Sequence, residues 1–141
     1  PDKLTKASIQ HFLQEKERGI QSSLMLQPLD ENNLHTLRRL LKDLLHTWPY
    51  TRHEAVDILP YEINSSAKLQ KLAELLGNYG DQCTALDFLQ PGYIEGVQQP
   101  QGRELLRNLC AQLELRKKQF RLDFFSTLLK QRQKPALLAL E

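Results

Sequence analysis

The sequence predicts an all-α fold, from its composition and from its hydrophobic periodicity. Among 141 residues there are 29 Leu, against 5 Ile and 2 Val. Leucine loses little rotamer freedom in a helix, whereas the β-branched residues that favour strands are scarce here. Apolar residues also recur at three- and four-residue steps, as they do along one face of a helix. We therefore expect a single helical bundle of about five to seven helices that ends in a long C-terminal helix.

The length and the distribution of Pro and Gly predict one helical domain, which we place at residues 1–134. A chain of 141 residues can bury a sizeable core. Residues 90–102 hold two Pro and three Gly and predict an internal linker before the long helix. Residues 135–141 predict a short apolar tail whose last two residues resemble a cloning remnant. Since the chain begins with Pro rather than Met, we expect it to be part of a larger protein.

Three helices are expected in the first part of the chain. The first should run from about Ala7 to Arg18, with Thr5 as its N-cap and Gly19 closing it. Asp30 should cap the second helix, and Pro49 should end it, because proline has no backbone N–H and its ring clashes with the preceding turn. Its predicted buried stripe is Leu34, Leu37, Leu41, Leu44 and Trp48, and we expect the tryptophan to be largely buried. A capping box at residues 51–54 predicts a third, short helix that stops near Pro60.

Two further helices are expected before the linker. Ser65 or Asn64 should cap the first of them, and its buried stripe is Leu69, Leu72, Ala73, Leu75 and Leu76. Gly77 and Gly80 are expected to bracket the end of this helix. Asp81 to Leu89 then predicts a separate short helix before Pro91.

The long helix, expected from Arg103 to Lys134, carries two apolar stripes. At 100° per residue, one stripe is the natural core face: Leu106, Leu109, Cys110, Leu113, Phe120, Phe124 and Leu128. The second stripe lies nearly opposite: Leu115, Leu122, Phe125 and Leu129. A surface helix needs only one apolar face, so the second stripe needs its own partner. Either the helix is central and its own domain covers both faces, or the second stripe docks another chain or a second copy.

A basic ridge lies between the two stripes, formed by Arg103, Arg107, Lys118, Arg121 and Arg132. Like-charged pairs at i,i+4, such as Arg103 with Arg107, cost roughly 0.2–0.5 kcal/mol each in an isolated helix. The charge is also asymmetric: residues 1–102 carry 10 Lys/Arg and 13 Asp/Glu, and residues 103–141 carry 9 and 4. The ridge is therefore a solvated face partly neutralised by the acidic half, a site for an acidic protein partner, or a site for a phosphate backbone.

The sequence offers no recognisable catalytic or metal-binding motif. Its six glycines are spread singly, so the Gly-rich loops that cradle phosphate are absent. His35 and His46 lie eleven residues apart on one expected helix, too far to share a metal. There is no C-x-x-C, no H-E-x-x-H and no G-x-S-x-G. We expect no catalytic residues, no metal and no cofactor.

Cysteine usage and hydropathy bear on location. Cys83 and Cys110 could pair in a disulfide, but in a chain with this much core we expect free thiols and an intracellular protein, cytoplasmic or nuclear. No apolar run approaches the ~20 residues that span a bilayer, so we expect no membrane partner.

The predicted function is that of a non-enzymatic helical interaction or assembly module. In this hypothesis the module docks a protein partner, or a second copy of itself, through the second stripe of the long helix. The alternative hypothesis is a nucleic-acid-associated domain that uses the basic ridge. We expect any such binding to be weak, because a net charge of +2 is small for a domain that holds a phosphate backbone.

Overall fold

The computed structural model describes residues 5–25 and 29–139, with side chains up to Arg132. No strand occurs in this range, so the all-α prediction is confirmed. The helices are α1 (Lys6–Met25), α2 (Glu31–Ile58), α3 (Ser66–Phe88), α4 (Pro91–Glu95) and α5 (Pro100–Ala139), with a short 3-10 helix (Tyr61–Ile63) between α2 and α3. The five α-helices of the described residues lie at the lower end of the expected number.

Three helix starts use the predicted capping residues. The Thr5 hydroxyl accepts a hydrogen bond from the backbone N–H of Ser8 at 3.1 Å. Asp30 Oδ1 accepts from the backbone N–H of Asn33 at 2.9 Å, and Ser65 Oγ accepts from that of Lys68 at 3.2 Å. Each cap satisfies a backbone donor that the first turn of a helix leaves unpaired, which is why these sequence signals were reliable.

The predicted helix end at Pro49 is wrong, because α2 continues through this proline to Ile58. The predicted capping box is wrong for the same reason. Thr51 lies inside the helix, is 5% exposed, and donates its hydroxyl to the Thr47 carbonyl at 3.2 Å. Ala55, one turn later, is fully buried in the core. Burial of the turn after Pro49 thus outweighs the one backbone hydrogen bond that the proline removes.

Glycine does not end α1 or α3 either. Helix α1 runs past Gly19 to Met25, and α3 runs past Gly77 and Gly80 to Phe88, so the separate helix predicted at 81–89 is absent. A Cβ at Gly77 would lie 3.2 Å from Arg38 Nε, and one at Gly80 would lie 3.2 Å from His35 Cε1. These glycines let the side chains of α2 lie directly on the backbone of α3.

The long helices pack in chain order, each on the one before it. The main interfaces join α1 with α2, α2 with α3, and α3 with α5, while α4 and the 3-10 helix contact α5. The core includes Leu13 and Ile20 from α1, the predicted leucine stripes of α2 and α3, and Phe124 and Leu128 from α5. Trp48, expected to be largely buried, packs against this core only in part, as large aromatic residues commonly do. With α3 on one side only, α5 keeps a face that no other described helix covers.

The boundaries of the last helix differ from those expected. Residues 90–102 hold α4 and the first turn of α5 rather than a plain linker. Helix α5 also includes Pro135 and the first part of the predicted apolar tail, up to Ala139. Leu140 and Glu141 lie outside the described residues.

Candidate functional site

The second stripe of the long helix is divided between solvent and core. Leu115 is 67% exposed, Leu122 is 63% exposed and Leu129 is 50% exposed. Phe125 is instead partly buried and packs against the core. Its ring lies 5.1 Å from that of Phe124, centroid to centroid, at an interplanar angle of 75°. The two interpretations of this stripe, core face and docking surface, therefore apply to different residues. Phe125 packs against the core, and the three leucines face outward.

The heptad spacing of the three leucines accounts for their shared exposure. Leu115, Leu122 and Leu129 are separated by seven residues each, so they differ by only about 20° per step around the helix. Phe125 is turned by about 80° from Leu115, 60° from Leu122 and 40° from Leu129, towards the side of α5 that faces the core. We call Leu115, Leu122 and Leu129 the leucine stripe.

Two residues at the start of the basic ridge hold the chain that leads into α5. Arg103 donates to the backbone carbonyl of Val97 at 2.9 Å and to that of Gln98 at 3.4 Å. Arg107 forms an ion pair with Glu95 of α4 at 2.9 Å. Both guanidinium groups thus have acceptors within the same chain.

Two further ridge residues tie α5 to distant parts of the chain. Arg121 donates to the backbone carbonyl of Leu29 at 2.7 Å and stacks over the Phe125 ring at 5.7 Å. Arg132 pairs with Glu62 at 3.2 Å. Of the five predicted ridge residues, only Lys118 has no such contact among the side chains that the structure describes. Acidic partners within the chain therefore offset two of the five ridge charges, those of Arg107 and Arg132.

The N-terminus of α2 and the middle of α5 are joined by an ion pair that the sequence analysis did not single out. Lys117 Nζ lies 2.5 Å from Glu31 Oε1, with side chains 22% and 42% exposed. The ammonium group also lies 5.9 Å from the centre of the Tyr79 ring. The hydrogen bond from Lys117 lowers the pKa of Glu31, and the same bond raises the pKa of Lys117. Eighty-six residues separate the partners, so no local sequence signal could have paired them.

This pair predicts a specific pH dependence of stability. A carboxylate with a lowered folded-state pKa stabilises the fold above its ordinary pKa of 4.5, and the contribution is lost as the pH falls through the lowered value. Glu31→Gln should therefore lower the free energy of unfolding at neutral pH by less than about 1 kcal/mol, since the pair is partly exposed. The difference from wild type should shrink at a pH well below 4.5, as measured by urea denaturation. An equal difference at both pH values would contradict the assignment.

A cavity of about 370 Å³ is lined by both members of this ion pair and by both cysteines. Cys83 and Cys110 are free thiols in the structure. Burial, followed by the nearby Glu31 carboxylate, raises the pKa of Cys83, and nucleophilic catalysis requires the opposite shift towards the thiolate. Cys110 donates to the backbone carbonyl of Leu89 at 3.6 Å. Cys83 therefore has the environment of a structural cysteine.

A second exposed apolar surface, missed from the sequence, lies where α3, α4 and α5 meet. We call it the corner patch, and its members are Phe88 (69% exposed), Tyr93 (51%), Leu105 (70%) and Leu109 (40%). The Phe88 and Tyr93 rings lie 5.4 Å apart. Leu109 was expected in the core, but α3 ends at Phe88, so Leu109 lines an open groove of about 520 Å³ with that residue. The one sequence feature that could have indicated the corner patch was Leu105, an apolar residue that belongs to neither predicted stripe of the long helix.

Neither a metal-binding cluster nor a membrane-spanning helix is found among the described residues, and known proteins supply no match. Among the residues that the structure describes, no cluster of His, Cys, Asp or Glu is arranged to hold a metal ion. Within the same residues, no helix is long and apolar enough to cross a membrane. Comparisons of the chain with protein-family models, with curated proteins and with solved structures found no match.

Proposed function

We propose that this chain is a non-enzymatic helical interaction module, part of a larger intracellular protein, that docks a protein partner through the leucine stripe of α5. The observation that carries the proposal is the exposure of three leucines at heptad spacing, between 50% and 67%, on a helix whose opposite face lies in the core. Monomeric proteins seldom leave such a row uncovered. Covering each leucine would contribute roughly 1–2 kcal/mol, which suits a reversible interface.

The chemistry around the stripe indicates what kind of partner would fit. An uncovered row of leucines is suited to an apolar surface of the partner that runs along it. Lys118 lies between the first two leucines, and Arg116 and Lys130 are exposed nearby on the same helix. A partner surface with acidic residues beside its apolar residues would match these charges.

The experiment uses three versions of the chain, wild type, a stripe variant and a control variant, as baits for affinity purification from source cells, and it compares the proteins that each one captures. The stripe variant combines Leu115→Asp with Leu122→Asp, and the matched control carries Gln14→Asp at an exposed position of α1. Proteins that bind wild type and the control, but not the stripe variant, are the expected result, with unchanged circular dichroism for all three. If the stripe variant retains every protein that wild type captures, and also self-associates as wild type does, the proposed function is wrong.

A further inference from the structure

The leucine stripe and the corner patch lie on different faces and at different levels of α5. Leu105 and Leu109 of the corner patch are turned by roughly 80–140° around the helix from Leu115 and Leu122. The midpoints of the two surfaces along α5 are about 15 residues apart, which corresponds to roughly 22 Å. One molecule can therefore present both surfaces to two different neighbours.

The segment that carries the corner patch is net acidic. Residues 72–109 contain five acidic residues and two basic ones, Arg103 and Arg107. Asp81 lines the groove beside Phe88 and Leu109. Of the two cations at this corner, Arg107 pairs with Glu95, whereas Arg103 donates to backbone carbonyls and keeps its charge. Asp81, Asp87 and Glu104 are exposed, with no ion pair among the described side chains.

The leucine stripe lies in the basic part of the chain. Residues 116–132 contain six Lys or Arg and one acid, Asp123. Lys118, Arg116 and Lys130 are exposed, and none of them forms an ion pair within the described residues. The two apolar surfaces therefore carry opposite charge around them, and an acid-flanked aromatic patch is complementary to a base-flanked leucine row.

We infer that the leucine stripe of one molecule docks on the corner patch of a second copy, so that the protein assembles head to tail. This inference rests on the proposed function, and it identifies the partner of the leucine stripe as a second copy of the chain. Phe88 and Tyr93 are exposed aromatic residues of the kind that anchor interfaces, and the groove beside Phe88 can receive a leucine side chain. A symmetric pairing of two stripes would instead bring together two segments with the same positive charge. Two copies joined in this way leave a free corner patch at one end of the pair and a free leucine stripe at the other, so the assembly closes into a ring or grows as a chain.

Two variants that each remove one patch test this arrangement directly. The corner variant combines Phe88→Asp with Leu105→Asp, both about 70% exposed in wild type, and the stripe variant combines Leu115→Asp with Leu122→Asp. Sedimentation velocity on the purified chain should show a wild-type mass that rises with concentration and falls with added salt. Each variant alone should remain monomeric, while Gln14→Asp should behave as wild type. An equimolar mixture of the two variants should give a 1:1 dimer of twice the monomer mass that does not grow further, because each member retains only one usable patch.

Three outcomes would overturn the inference, and they differ from failure of the proposed function. A corner variant that associates as wild type does would show that two stripes pair symmetrically. A mixture that stays monomeric would show that the patches do not bind each other. A wild-type chain that stays monomeric, yet captures another protein only when its stripe is intact, would leave the proposed function standing and assign the stripe to a different partner. Thermal melting of every variant, followed by circular dichroism, verifies that loss of association is not loss of fold.

Discussion

Replacing Phe124 by alanine is expected to lower the free energy of unfolding by about 3–5 kcal/mol. Phe124 is 1% exposed and is the largest of the fully buried side chains. Its ring packs edge-on against Phe125 and belongs to the core cluster that joins α5 to α3. Truncation removes these contacts and leaves a cavity. The surrounding helices can close it only in part, because each of them is also packed against other helices. Urea denaturation followed by far-UV circular dichroism measures the change.

Leu122→Ala is the matched control for this experiment. It removes a large apolar side chain two positions away on the same helix, but at a site that is 63% exposed. Its effect should stay within about 0.5 kcal/mol when measured at a protein concentration too low for association. Similar costs for the two substitutions would mean that α5 does not turn Phe124 inward and Leu122 outward.

Aspartate at position 125 should destabilise the chain by more than about 2 kcal/mol, whereas aspartate at position 122 should change stability by no more than about 0.5 kcal/mol. Phe125 packs against the core, and the Arg121 guanidinium covers its ring. A charge placed there loses part of its hydration and removes an aromatic contact. Leu122 faces solvent, so a carboxylate there stays hydrated and lies near Lys118, one turn away.

The same pair of variants separates the two readings of the second stripe. Thermal melting should show a clear loss of stability for Phe125→Asp and none for Leu122→Asp. If both variants unfold, the whole stripe is core and the proposed docking surface is lost. If neither is destabilised, Phe125 belongs to the exposed surface, and the surface is wider than the three leucines.

The sequence predicted correctly the features that depend only on residues close together in the chain, namely the helix caps and most of the apolar stripes. Thr5, Asp30 and Ser65 cap helices because a short polar side chain reaches a backbone donor two or three residues ahead. The stripes of α2 and α3 were correct except at Trp48 and Leu75, which are only partly buried. A 3.6-residue period places the other members on one face, whichever helix packs against it. These features need no knowledge of the rest of the fold.

Signals that usually end a helix failed where packing opposed them. Pro49, Gly77 and Gly80 all lie inside helices. The residues after Pro49 are buried, and the two glycines of α3 allow Arg38 and His35 to lie close against its backbone. The cost of each helix breaker is a few kcal/mol at most, which burial of the following turn can exceed.

By itself, the sequence determined that this chain is helical, that its last helix carries apolar residues on two faces, and that this helix is basic. Only the tertiary structure decided which of its apolar residues are exposed and which of its basic residues have partners within the chain. It placed Phe125 against the core and Leu122 in solvent, gave Arg121 and Arg132 partners from distant segments, and exposed Phe88 beside Leu109. The physical reason is that periodicity defines the faces of a helix, but what covers each face depends on where the other helices end and pack. In this chain α3 lies on one side of α5 and ends at Phe88, and this leaves the leucine stripe and the corner patch open.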